Sequence, residues 1–209
     1  MERKGTSTMY KKVTHAVLFV ALLAFTALCI PLASQAFSLF TAPTYGTGKV
    51  QVRLYTSYFC SPCRAVEPYI EPLVQDLVKR NIITLTYVDI PSSKTSVEYA
   101  SAFLKAVHGK SDVKMAISAR KLLISAAESG ITERSVLECY LKGKGVALVK
   151  TCDPEYTFRV YNQYMKQDRI TATPTCVIVD AAGKKTTFHG GQKILDALKK
   201  LGTVRVAAE

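Results

Sequence analysis

Histidine is scarce in this chain: among 209 residues only His15, His108 and His189 occur. No second Cys-x-x-Cys accompanies the one at residues 60–63. A structural zinc site needs a second cysteine pair, or histidines at ligand spacing. A zinc-organised domain is therefore disfavoured, and neither metal nor cofactor is expected. Acidic residues are also few, 16 against 28 Lys and Arg, for a formal net charge of +12 at pH 7. That balance suggests anionic surroundings. Yet the lysines are dispersed, as in KAVHGKSDVK (105–114) and KGKGVALVK (142–150), with no aromatic stripe among them. A solvated surface is expected rather than nucleic-acid binding. No internal repeat or low-complexity tract is visible.

What is present begins with a leader. MERKGTSTMYKKVTH (1–15) is basic, AVLFVALLAFTALCIPLA (16–33) is apolar, and SQA (34–36) supplies small residues. This order predicts a secretory signal cleaved after Ala36, and hence export from the cytosol. The alternative is a membrane anchor formed by residues 16–33, which Pro31 interrupts near its end and which barely reaches bilayer length. Cys29 leaves with the signal. Residues 37–209 then form one domain, large enough for a real core.

Export bears on the remaining cysteines, Cys60, Cys63, Cys139, Cys152 and Cys176. Outside the cytosol, cysteines are more often disulfides or redox catalysts than metal ligands. An odd number leaves at least one thiol free. A structural disulfide between Cys139 and Cys152 is the favoured pairing, closing a short loop worth about 3 kcal/mol if unstrained. Cys176, in the run CVIV, reads as a small buried hydrophobe.

KVQVRLYT (49–56) and NIITLTYVDI (81–90) carry the β-branched and aromatic residues of strands. Between them, Val66, Ile70, Leu73, Val74 and Leu77 recur at helical spacing, with Pro68 and Pro72 predicting a kink. A helical block follows from Lys94 to about 150, then a helix over 153–169 opened by Asp153 and Pro154. TATPTCVIVD, an AAGK turn, KTTFHG and GQKILDALKKL predict strand, hairpin, strand and helix. Residues 37–48 read as a loop-like lead-in. The predicted class is α/β: one central mixed sheet flanked by helices, its first two strands parallel through a helical crossover.

YFCSPCRAV (58–66) sits where the first strand gives way to the first helix. A thiolate, not a thiol, attacks a disulfide. The unpaired N–H groups and positive dipole end of a helix N-terminus stabilise that charge. The spacing puts Cys63 one turn beyond Cys60, within bonding reach, and Pro62 suits a first helical turn. Cys60 is then the exposed attacker, and Cys63 the partner that closes the ring. Half of a metal site and an inert bridge remain the alternatives, the second disfavoured because so tight a loop is strained.

The chain resembles the thioredoxin superfamily, and within it the exported DsbA-like thiol:disulfide oxidoreductases. YFCSPCRAVEPYI matches the family's active-site junction, including the proline five residues after the second cysteine, Pro68. ATPTCVIVDAAGKKTTFHGG matches the residue–proline step that leads into the hairpin. The resemblance covers about Lys49 to Leu201. It implies a thioredoxin fold with a helical insertion at about 94–150. It also implies that Pro174 is cis, that Thr173 and Pro174 lie beside Cys60, Ser61, Pro62 and Cys63, and that Thr173 offers its backbone to an extended substrate.

The pattern is broken in two places. The acid that the family usually buries six residues before the first cysteine is Leu54 here, preceded by Arg53. Glu67 is the nearest substitute, though as a helix residue it reads as solvated charge. Ser-Pro, rather than a dipeptide with histidine, separates the cysteines. Pro62, and Thr173 before Pro174, resemble reductases and isomerases instead. The expected activity is disulfide exchange with cysteine-containing exported proteins, by a monomer recycled by a membrane redox partner. A reductase or isomerase is the closest rival, and a non-catalytic metal- or protein-binding module the remoter one.

Overall fold

The computed structural model describes residues 42–203. The expected signal or anchor, with Cys29, lies outside them. In chain order the elements are β1 (Thr44–Tyr45), β2 (Val50–Thr56), α1 (Ser61–Lys79), β3 (Ile83–Asp89), α2 (Lys94–Val107), α3 (Val113–Glu128), α4 (Arg134–Gly143), α5 (Glu155–Asp168), β4 (Thr175–Val179), β5 (Lys185–His189) and α6 (Gly191–Thr203).

One sheet runs in the order β1-β3-β2-β4-β5. β2 and β3 are parallel, with Leu54 opposite Tyr87 and Thr56 opposite Asp89. The other pairings, β1 with β3, β2 with β4 and β4 with β5, are antiparallel. The parallel pair is joined by a helical crossover and buried almost throughout, as parallel strands require.

The lead-in is not all loop. Thr44 and Tyr45 pair with β3, and the Tyr45 side chain is fully buried. Two residues carry no periodicity, so sequence pattern does not reveal such a strand. The approach depends on Gly48, where a Cβ would stand 2.2 Å from the backbone nitrogen of Ile83.

α1 continues across Pro68 and Pro72. Each proline costs the helix an N–H donor, and a continuous buried face of Val66, Ile70, Val74 and Leu77 holds the helix to the sheet. The inserted helices α2 to α4 have their own stop and start signals. Ser93 and Ser96 form a reciprocal capping box at α2, and the Asp112 carboxylate accepts the Lys114 N–H at 2.9 Å at α3. α3 packs against α1 and so brings the insertion to the rear of the cysteine pair. No helix among the described residues is long and apolar enough to cross a membrane.

Candidate active site

Cys60 is the N-cap of α1, in extended backbone conformation. Its sulfur accepts the Cys63 N–H at 3.3 Å, the place a serine or aspartate oxygen takes at an ordinary cap. Ser61 and Pro62 form the exposed first turn, where the missing proline N–H costs nothing. Cys60 and Cys63 are bonded to each other, with Cα atoms 5.2 Å apart. Cys60 is half-buried, whereas Cys63 is only 2 % exposed. One sulfur can meet a substrate and the other cannot.

The Thr173–Pro174 peptide is cis, and the Thr173 carbonyl oxygen lies 3.6 Å from the Cys60 sulfur. Three bonds brace that turn. The Thr175 hydroxyl donates to the Ala172 carbonyl at 2.8 Å, and Gly190 N–H donates to the Pro174 carbonyl at 3.0 Å. The Thr175 hydroxyl has given its only proton away, so it accepts from His189 Nδ1–H at 3.0 Å. At Gly191 a Cβ would press within 2.9 Å of Val66, so the β5–α6 corner sits tightly on α1. The 60–63 turn and the 173–174 step, far apart in sequence, thus lie against each other.

No family model matches the chain, and no curated protein is similar to it in sequence. Solved structures are similar in fold. A periplasmic thioredoxin-like protein from Salmonella enterica serovar Typhimurium superposes with a TM-score of 0.56 at 18% identity, over 78% of this chain and 91% of that one. The catalytic domain of Proteus mirabilis ScsC gives 0.56 at 18% identity, over 81% and 96%. Pseudomonas aeruginosa DsbA2 gives 0.52 at 15% identity, over 78% and 96%. The chain has a DsbA-like thioredoxin fold.

Leu54, six residues before Cys60, is apolar and buried. The expectation for Glu67 is overturned. Glu67 is only 5 % exposed and accepts a 2.6 Å bond from Arg120 Nε. Arg120 is itself buried. Its Nη1 donates to Asp89 at 2.8 Å and to the Tyr58 hydroxyl at 3.3 Å, and Tyr58 donates in turn to Asp89 at 3.0 Å. The guanidinium also lies over the Tyr87 ring at 4.3 Å. Burial opposes the Arg120 charge, but Glu67 and Asp89 outweigh it and hold the group well above its ordinary range. Burial and then Asp89 push the Tyr58 hydroxyl up, so it stays a neutral donor.

A second ion cluster holds the approach to the 169–174 turn. Arg53 grips Asp168 through Nε at 2.7 Å and Nη2 at 3.1 Å, while Tyr55 and Lys185 add bonds of 2.5 and 2.6 Å. Burial alone would raise the Asp168 carboxyl, but these donors hold it below its ordinary value. Of the tyrosines on α5, Tyr161 is a buried packing residue, and Tyr164 lies beneath Arg53 at 5.1 Å.

The remaining thiols are free. Cys176 is wholly buried opposite Leu54, and burial pushes its pKa up to about 12. Cys139 and Cys152 are not bridged, contrary to expectation. Leu137 and Leu141 face the core from α4, which turns Cys139 to solvent, while Cys152 is half-buried in the loop before α5. Among the described residues no group of His, Cys, Asp and Glu is arranged to hold a metal.

Proposed function

We propose that this protein is a thiol:disulfide oxidoreductase acting on cysteine-containing exported proteins. Residues 1–36 then serve as its cleaved secretory signal and the periplasm as its compartment. The observation that carries the reading is the Cys60 sulfur: it caps α1, accepts an N–H at 3.3 Å, is bonded to a buried partner and lies 3.6 Å from the Thr173 carbonyl. An extended substrate can pair with the Thr173 backbone and so bring its own sulfur to that point.

A substrate thiolate attacks Cys60 Sγ, the Cys60–Cys63 bond breaks, and Cys63 leaves with the electron pair and takes up a proton. A mixed disulfide between substrate and Cys60 results. A second substrate thiolate attacks the substrate sulfur of that bond, and Cys60 departs as a thiolate stabilised by the helix N-terminus. The substrate has lost two electrons and the cysteine pair has gained them. A membrane redox partner removes them, and the enzyme works as a monomer.

Pro62 and Thr173 favour the reverse direction as a second reading, in which the dithiol reduces or isomerises substrate disulfides. Equilibration with glutathione mixtures separates the two. A strongly oxidising poise is the result expected of an oxidase, and a thioredoxin-like poise is that of a reductase. Replacing Cys60 tests both: Cys60→Ser abolishes all exchange while the fold, followed by circular dichroism, is kept. Retained exchange by the folded Cys60→Ser protein would overturn the proposal.

A further inference from the structure

Cys63 poses a problem that Cys60 does not. It must lose a proton to close the ring and regain one when the ring opens, yet it is nearly sealed from solvent. A small cavity of about 10 Å³, the size of a single water, lies behind it. Its wall includes Cys63, Leu54, Glu67, Thr56, Pro174 and Thr175. Leu54 cannot handle a proton. Glu67 can. It stands four residues after Cys63, on the same face of α1. Arg120 Nε fills one of the carboxylate's roughly four acceptor directions and leaves others open.

We infer that Glu67 is the proton acceptor and donor for Cys63, working across this cavity in place of an acid on the strand. The inference rests on the oxidoreductase reading above. In the mixed disulfide, the Cys63 S–H proton passes to the Glu67 carboxylate, directly or through one water. The Cys63 thiolate attacks Cys60 Sγ, the Cys60–Cys63 bond forms, and the bond from Cys60 to the substrate sulfur breaks. The substrate leaves with the electron pair, and the proton held on Glu67 is later released. Ring opening runs the same steps backward, so that the leaving Cys63 thiolate is neutralised as it forms.

The charges around Glu67 support this role. Tyr58 precedes α1, Tyr87 and Asp89 come from β3, Arg120 from α3, and Glu71 follows on α1 with Lys121 bonded to it at 2.7 Å. Arg120 carries one positive charge against the two carboxylates of Glu67 and Asp89, which it bonds. The buried set is therefore formally −1, and one added proton neutralises it. Arg120 also fixes where the carboxylate lies, so that the acceptor is held in place beside Cys63.

The test is stopped-flow oxidation of the reduced protein by oxidised glutathione, in a Cys139→Ser/Cys152→Ser background. It separates attack by Cys60 from ring closure by Cys63. Glu67→Gln is expected to leave alkylation of Cys60 near its original rate and to slow closure by about 10²-fold, the usual scale of a positioned base. Closure in Glu67→Gln should also become proportional to hydroxide, and Leu54→Asp placed in that variant should restore speed. Wild-type closure, which needs no substitution, should instead be level through neutral pH. A wild-type closure rate that climbs with hydroxide, or unchanged closure in folded Glu67→Gln, would overturn the inference. If the wild-type pair fails to exchange with glutathione at all, the oxidoreductase reading fails instead.

Discussion

Two buried arginines, Arg120 and Arg53, hold carboxylates on opposite faces of β2, and they differ in sign. Around Arg120 one guanidinium meets Glu67 and Asp89, whereas around Arg53 a guanidinium and an ammonium meet the single carboxylate of Asp168. Strand alternation separates them: Leu54 faces the Cys63 cavity while Arg53 and Tyr55 face Asp168. The negative set lies behind Cys63 and has capacity for a proton. The positive set keeps its carboxylate ionised and acts as a clamp, tying the end of α5 to β2 and β5 just before the turn that presents Thr173. The same residue types thus serve proton traffic on one face and positioning on the other, and charge count decides which.

Removing one charged partner from each cluster breaks the comparison most severely. Arg120→Ala leaves the buried carboxylates of Glu67 and Asp89 without a counter-charge and should cost about 3–5 kcal/mol in urea denaturation. Asp168→Asn, at the other cluster, should cost about 2 kcal/mol through its lost charge-assisted bonds. An Asp168→Asn cost equal to or above that of Arg120→Ala would show that the clamp, not the proton-handling set, is the main structural pair.

Acid sharpens the contrast further. The folded-state pKa of Asp168 is depressed, so its stabilisation is present above the unfolded value of about 3.9 and is lost as pH falls through the folded one. Wild-type stability should therefore decline below about pH 4, and the Asp168→Asn variant should show a shallower acid limb. An identical acid limb in the variant would contradict the clamp. Lys185, partly exposed, is the weakest contributor, and Lys185→Ala should change stability by less than about 1 kcal/mol. Thiol labelling gives the finest grading: exposed Cys139 reacts first, half-buried Cys152 later, and Cys176 only on unfolding.

The cysteine pair, the helix it caps, the Thr173–Pro174 step and the parallel crossover from β2 to β3 were legible because each has a local signature. Turn chemistry, periodicity and the position of a proline are read within a few residues. The buried charges were not legible. Glu67 reads as a solvated helix residue until Arg120, fifty-three positions away, is placed against it, and nothing within α1 announces that partner. Its register did hold the signal, since it shares a face with Cys63, Val66, Ile70 and Val74. The Cys139–Cys152 bridge was misread for the opposite reason. Compartment and count favoured pairing, while the orientation of α4, set by Leu137 and Leu141 packing inward, turned Cys139 away.

On the proposed function, the sulfur at the start of α1 carries negative charge when reduced. Ultraviolet titration of the reduced protein, with Cys60→Ser as the blank, measures it directly. A thiol already ionised at neutral pH is the predicted result. An ordinary thiol that loses its proton only in alkali would contradict it.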